Sequence, residues 1–316
     1  MLRGLAALRP DLDWSWYYRP HRYLKSFREP LPPNAHRALL FDRALWRPRR
    51  LFHGLNQRLP ETPFARQVVT FHDLFVMTAA YSTPEFRARF AAQAQHAART
   101  ADRIIAISQF TADQVVGLLH VPRERITVIP HGIRALPPVE ATREKIVLHV
   151  GAIQKRKNLV RLVHAFAALP KEWRLVLAGS SGYGSEEVLE AVDQSSCKDR
   201  IQITGYVTST ELARWYARAS IFAFPSLDEG FGMPVLEAMS AGVPVLAANG
   251  SAVREVVADA ALLVDPLSVE EMSEVLKHLA VSEELRARMI TAGHRRAADF
   301  AWDRACTATL GVYGTL

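Results

Sequence analysis

The alternation of short apolar runs with amphipathic stretches after position 102 restricts this chain more than any other feature. RIIAIS (103–108), ITVIP (126–130), KIVLHVG (145–151), WRLVLAG (173–179), RIQITG (200–205), IFAFP (221–225), VPVLA (243–247) and ALLV (261–264) are rich in Ile, Val, Leu and Phe. They are too short for helices and match strands buried on both faces. Between them lie stretches of helical periodicity, such as 158–169 and 209–219. Repetition of this kind builds α/β proteins with doubly wound parallel sheets. A Pro-rich seam, Leu136-Pro-Pro-Val-Glu-Ala-Thr142, separates two such series and reads as a linker.

The first half is less regular. LDWSWYYR (12–19) and RLFHG (50–54) read as strands joined by a Pro- and Arg-rich stretch, and QVVTFHDL (67–74) is a stronger one. A doubly wound domain normally opens with its central strand and a glycine-bearing turn, whereas this sequence opens inside a helix, LRGLAALRP. A central strand is missing from the pattern.

With 316 residues, 49% of them hydrophobic, the chain can fill two domains of ordinary size. No apolar run approaches bilayer length, and MLRGLAALRPDLDW lacks the apolar stretch and cleavage site of a secretory signal, so a cytoplasmic location is expected. Cys197 and Cys306 form no metal or redox spacing. Residues 1–140 hold 20 Lys and Arg against 11 Asp and Glu, and the remainder 19 against 21. The basic excess therefore lies in the first half, where Arg47-Pro-Arg-Arg50 is the one cluster. Such a half can attract an anionic membrane surface, so peripheral association with the inner face of the membrane is an expectation. Scattered Arg among apolar residues does not suggest nucleic acid.

The stretch DEGFGMPVLEAM (228–239) puts two glutamates eight positions apart around Gly230, Gly232 and Pro234. One helix cannot bring Glu229 and Glu237 together, and the glycines disfavour it. Pro234 suits a helix start and Gly242 a stop, so Glu229 belongs to a loop and Glu237 to the first turn of a helix. The amides of Phe231, Gly232 and Met233 then lie unpaired at the positive helix end, a site for polyols or anions flanked by carboxylates that accept from vicinal hydroxyls. The alternative is a buried turn whose Glu237 caps its own helix.

Ligands of doubly wound sheets bind beyond the carboxyl ends of the strands. After KIVLHV comes Gly151, followed by Arg156 and Lys157 before a helix starting near Asn158. Two cations there can neutralise a diphosphate, although a surface turn is the commoner fate of such residues. The small residues of Gly179-Ser-Ser-Gly-Tyr-Gly184 could let a backbone approach a base or ribose, although their spacing is not the dinucleotide fingerprint, and Gly205, Tyr206 and Val207 could offer backbone groups to a base edge or form an ordinary strand-to-helix turn. His72 and Asp73 follow a strand, where a histidine can hydrogen-bond a sugar or serve as a satisfied structural residue. The DLD at 11–13 precedes a strand, reads as a loop and predicts no metal. A serine-nucleophile elbow, a Walker lysine loop and a zinc constellation are all absent from the sequence.

The combination of KRKN, GYV and PSLDEGFGMPVLEAMSAGVPVLA resembles the retaining glycosyltransferases of family GT4, whose signature is Glu, seven residues, Glu, here Glu229 to Glu237. The likeness extends from VVTFHDL through SQFTAD and VIPHG to a terminal FAWDRA. It implies a GT-B fold: two Rossmann-like domains facing a cleft, with an acceptor domain over 1–138, a donor domain over 139–298 and a C-terminal helix over 299–316 packing back toward the first. It also implies that Arg156 and Lys157 hold the donor diphosphate, Glu237 the ribose and Glu229 the transferred hexose. Phe231, Gly232 and Met233 would bind hexose or diphosphate through their amides, Gly205 to Val207 would flank the base, and His72 would approach the hexose from the other domain. The activity implied is transfer of a hexose, mannose from GDP-mannose as first expectation, to a polysaccharide or lipid-linked glycan. The donor is GDP- or UDP-linked, and neither cofactor nor metal is expected. An inactive sugar-nucleotide-binding protein and a nucleotide-sugar epimerase are the alternatives. Two departures stand out: the family's opening strand and glycine-containing turn have no counterpart, and Ala152 stands where the family often has Arg. Either the start lies further upstream or the chain is a truncated, inactive member.

Overall fold

The structure is a computed structural model describing residues 1–43, 50–134 and 136–316. Part of the Arg47–Arg50 cluster lies outside the described residues. The chain divides into two compact units. Unit 1 takes residues 1–77, 84–132 and 301–316, and unit 2 takes 78–83 and 133–300. The Pro-rich seam falls inside unit 2, a few residues past the crossing, and the C-terminal helix Trp302–Tyr313 belongs to unit 1.

Unit 1 holds β1 (Trp14–Tyr18), β2 (Ala35–Leu39), β3 (Leu51–Gly54), β4 (Arg66–Phe71), β5 (Arg103–Ala106) and β6 (Ile126–Val128). They form two parallel sheets, β1-β2 alone and β3-β4-β5-β6 together. The apolar runs at 67–71 and 103–107 supply a core in which Val69, Phe71, Ile104 and Ala106 pack against Ala94 and Ala97 of the helix Pro84–Thr100. The strand expected over 67–74 stops at Phe71, because His72 and Asp73 begin the loop at its carboxyl end. β2 was not expected: AHRAL has no apolar alternation and follows PLPPN, so nothing but its pairing with β1 marks it.

Unit 2 is a six-stranded, all-parallel sheet in the order β12-β11-β10-β7-β8-β9. Its strands are β7 (Glu144–Val150), β8 (Arg174–Ala178), β9 (Ile201–Gly205), β10 (Ala219–Phe224), β11 (Val245–Ala248) and β12 (Leu262–Val264). Each corresponds to an apolar run of the sequence. Phe222, Phe224, Leu148 and Ile146 are fully buried, as strands covered on both faces require. The order reverses between β7 and β10: the chain runs outward through β8 and β9, then restarts at β10 and runs the other way. Ligands of doubly wound sheets bind at such a switch point, here beyond the carboxyl ends of β7 and β10. Among the described residues no helix is long and apolar enough to cross a membrane.

Candidate active site at the switch point of unit 2

Two loops meet at this switch point, 151–158 after β7 and 225–232 after β10. Backbone and side-chain bonds lock them together. Leu227 N–H donates to Arg156 O at 2.9 Å. Asn158, in the left-handed conformation that asparagine tolerates (φ 59°), donates through Nδ2 to Pro225 O at 3.1 Å and Pro266 O at 2.6 Å. Gly151 has φ +149°, reached here without a Cβ, and a Cβ would stand 3.3 Å from Lys157 Cε.

The loops bring Arg156, Lys157 and Glu229 into one buried cluster. Each is less than a tenth exposed. Glu229 Oε1 takes both cations, Lys157 Nζ at 2.5 Å and Arg156 Nη1 at 2.8 Å. Arg156 also donates to Asp228 O, and Lys157 Nζ lies 4.8 Å from the centre of the Phe224 ring. Burial pushes the Glu229 carboxyl up, but the charges and hydrogen bonds of Lys157 and Arg156 outweigh it and hold the group below its ordinary value. The cluster therefore sets two cationic side chains on one carboxylate in a place shielded from water. Of the Lys-Arg-Lys turn, Arg156 and Lys157 are buried, while Lys155 is exposed and pairs with Glu187.

Residues around the cluster that sequence reasoning did not single out complete its surroundings. His149 on β7 is fully buried, with Nδ1 3.0 Å from Ala223 O and Nε2 unpartnered. Burial first, then the Lys157 charge, lowers its pKa to about 3, so it is a neutral imidazole donating through Nδ1. Asp228 accepts from Thr78 Oγ1 at 2.8 Å, while its Oδ1 is buried without a partner. Burial raises its pKa against the opposing pulls of Thr78 and Arg156. An unpartnered ring nitrogen or carboxylate oxygen has no sequence signature.

The helix Met233–Ser240 starts where the Gly-Pro pattern places it, with Gly232 as its cap residue at φ +109°. No side chain caps it, Pro234 brings no N–H, and Val235 N–H donates to Gly232 O at 3.0 Å. Phe231 is buried against Phe300. Glu237 is the fifth helical residue, one position beyond the first turn expected for it. It does not cap its own helix; its Oε2 lies 3.1 Å from Tyr216 Oη, whose proton it shares with Pro234 O. Burial raises the Glu237 pKa, partly offset by the Tyr216 bond.

At the end of β9, Gly205 has φ +69° with open space where a Cβ would stand, and Tyr206 is 82% exposed. A ligand can approach this backbone. The glycine loop 179–184 differs from expectation: what its small residues approach is the protein's own loop. A Cβ on Gly179 would sit 1.9 Å from Gly151 O, and Ile153 exchanges bonds with Ser180 O and Gly182 N.

His72 lies in unit 1, where both ring nitrogens are engaged. Nε2 is 2.7 Å from Leu55 O and Nδ1 is 3.0 Å from His131 Nε2. Leu55 O can only accept, so His72 carries its proton on Nε2 and accepts from His131. Burial lowers its pKa. To serve a sugar it would have to give up one of these partners. Near the DLD, Asp11 pairs with Arg9 and Asp13 with His36, and among the described residues no group of three His, Cys, Asp or Glu could hold a metal.

Two family models match the chain, Glycosyltransferase Family 4 over residues 10–135 and Glycosyl transferases group 1 over 137–296. The O-antigen chain mannosyltransferase B of Escherichia coli is 32% identical over 311 residues, covering 92% of this chain and 81% of that protein. A D-inositol 3-phosphate glycosyltransferase of Xylanimonas cellulosilytica is 32% identical over 73% of this chain, which spans only 60% of its length. The sucrose-phosphate synthase of Thermosynechococcus elongatus superposes with a TM-score of 0.79 over 99% of this chain and 91% of its own, at 21% identity, a likeness of fold. With its parallel-sheet units and both halves matched by these family models, the chain belongs to the family 4 glycosyltransferases of GT-B fold and is a glycosyl-transferring enzyme.

Proposed function

We propose that the switch-point site binds the diphosphate and sugar of a GDP- or UDP-linked donor. The enzyme would transfer its hexose, mannose first, to a polysaccharide or lipid-linked glycan with retention of anomeric configuration. The buried cluster of Arg156 and Lys157 on one carboxylate carries this reading. Its two cations sit at the carboxyl ends of parallel strands, where ligands of such sheets bind. As the sugar–phosphate bond breaks, negative charge grows on the leaving diphosphate, and fixed cations there stabilise it without reorganisation. They take the part a divalent metal plays elsewhere.

Glu229 Oε1 is committed to the two cations, which leaves Oε2 for hexose hydroxyls. The main-chain donors over 231–233 face the hexose or diphosphate, Glu237 accepts from the ribose, and Gly205 to Val207 line the base. Retention follows when the acceptor attacks from the face the diphosphate is leaving and a diphosphate oxygen takes the acceptor proton. Mannose is supported by the name of the mannosyltransferase relative, which covers most of both chains. An acceptor anchored in a membrane is supported by the basic excess of residues 1–140 and by exposed Leu24 and Phe27 among Arg22, Lys25 and Arg28.

The test offers GDP-mannose, UDP-glucose and other nucleotide-sugars with mannan oligosaccharides as acceptors, and follows nucleoside diphosphate release and the anomeric configuration of the product. Acceptor-dependent release with an α-linked product supports the reading. Release of free epimer without acceptor, or binding without turnover, rejects it.

A further inference from the structure

His149 lies at the carboxyl end of β7 with one ring nitrogen that the donor-binding roles leave unused. The side chain is fully buried. Its Nδ1 is 3.0 Å from Ala223 O on β10, and a carbonyl can only accept, so the proton is on Nδ1 and Nε2 carries a lone pair. Burial, then the Lys157 charge, lowers the pKa to about 3, so that lone pair is present at any working pH. Yet Nε2 has no partner. Buried acceptors are almost always paired, because leaving the bond unmade costs the desolvation of the group. Gly151, at φ +149°, has no side chain, and the point where its Cβ would stand is 3.4 Å from His149 Nε2 and 3.5 Å from Lys157 Nζ. The two nitrogens border one gap. They also share a ring: the imidazole stacks on Phe224 with centres 5.8 Å apart and planes 18° apart, and Lys157 Nζ is 4.8 Å from the centre of that ring.

We propose, resting on the reading that this site takes a donor diphosphate, that His149 is a positioning residue for Lys157. A diphosphate oxygen only accepts and cannot satisfy Nε2, so the partner has to be a donor. The Lys157 ammonium has three donors on a flexible stem, and a small swing carries one of them across the Gly151 gap. Without a donor substrate the ammonium is held by Glu229 Oε1 at 2.5 Å. When a diphosphate draws it from that carboxylate, Nε2 accepts one of its N–H groups and the Phe224 ring backs it. The cation then stays fixed toward the leaving group. A neutral imidazole suits this task where a second carboxylate does not, because it orients the ammonium without cancelling the charge that the breaking sugar–phosphate bond needs.

The test titrates GDP and UDP into the wild-type enzyme, His149→Phe, Lys157→Ala and the double variant. His149→Phe keeps a ring on Phe224 and loses the lone pair; His149→Asn loses it too but retains a donor for Ala223 O, and serves as the second variant. The expected result is that either His149 change weakens the better-bound nucleotide about fivefold or more where Lys157 is present, and less than about twofold where it is Ala. Equal weakening in the two backgrounds overturns the positioning role and leaves the donor site standing. Affinity unchanged by Lys157→Ala overturns the donor site and the role with it. A second readout needs no change at His149: on adding the nucleotide, the nitrogen NMR resonance of Nε2 should move toward that of a hydrogen-bonded acceptor in the wild type and stay in place in Lys157→Ala. A resonance that saturating nucleotide leaves unmoved in the wild type overturns the role.

Discussion

Lys157 and Arg156 do different work although both reach Glu229. Lys157 is a point charge between Glu229 and the Phe224 ring, while Arg156 also bonds the backbone of Asp228. Lys157→Ala is expected to lower kcat by about 10²- to 10³-fold, the loss typical of one fixed donor at a leaving group, with the Arg156–Glu229 pair and the fold retained. Steady-state turnover with a nucleotide-sugar and a denaturant titration check both halves of that statement. Glu229→Ala behaves otherwise. It leaves two buried cations without a counter-charge and should cost about 3–5 kcal/mol of stability, so its loss of activity mixes unfolding with chemistry. Glu229→Gln keeps the shape and an accepting oxygen but removes the same counter-charge, so its turnover is read beside a denaturant titration. The pairing itself was not legible in the sequence, where Arg156 and Lys157 were cations for a ligand and Glu229 an acceptor for a sugar. Their residue types announced a polar site; that they hold one another depends on two loops 72 positions apart in sequence meeting.

At the scale of elements, the loops that build the site stand on close backbone approaches. Gly179→Ala would drive a methyl into Gly151 O, backbone that cannot swing away. The expected cost is about 1–3 kcal/mol, together with weaker nucleoside diphosphate binding, because Gly151 must move. Thermal unfolding and calorimetry on the same variant test this, and an unchanged melting temperature would show that the loops are not in contact. The strands of unit 2 were legible because strands covered on both faces are mostly apolar, as IFAFP and KIVLHV are apart from Lys145 and His149, and even the partly buried β9 and β12 keep apolar runs. The helix Met233–Ser240 was legible through Gly232 and Pro234, although Glu237 sits one residue deeper than expected. β2 was not legible, since an edge strand reading AHRAL owes its conformation to its neighbour. The glycine run 179–184 shows a further limit: small residues declare a close approach and do not say to what.

Across the whole molecule, buried neutral histidines set the response to acid. Burial lowers His53 to about 3, His131 to about 4 and His149 to about 3, each from an ordinary value of 6.5. Below 6.5 the unfolded chain takes up protons that the folded chain refuses until pH nears these low values. Stability is therefore full above about 6.5 and falls as pH drops toward 3. Urea titrations at pH 7 and pH 5 should show lower stability at pH 5, and His149→Phe should flatten that slope by up to about one proton while leaving the slope from His53 and His131. Equal slopes in the variant and the parent would place His149 in contact with water. The charge asymmetry acts at the same scale. Sedimentation with anionic vesicles should be reduced by substituting Leu24 and Phe27 with Glu, and binding unaffected by the substitutions would reject that face.

The central claim is that the buried Arg156–Lys157–Glu229 cluster receives a nucleoside diphosphate. Isothermal titration of GDP and UDP into the wild-type enzyme and Lys157→Ala tests it most directly. The expected result is saturable binding of one of the two by the wild type and an affinity about tenfold or more lower in the variant, the loss of roughly 1.4 kcal/mol or more. Equal affinity in both proteins would contradict it.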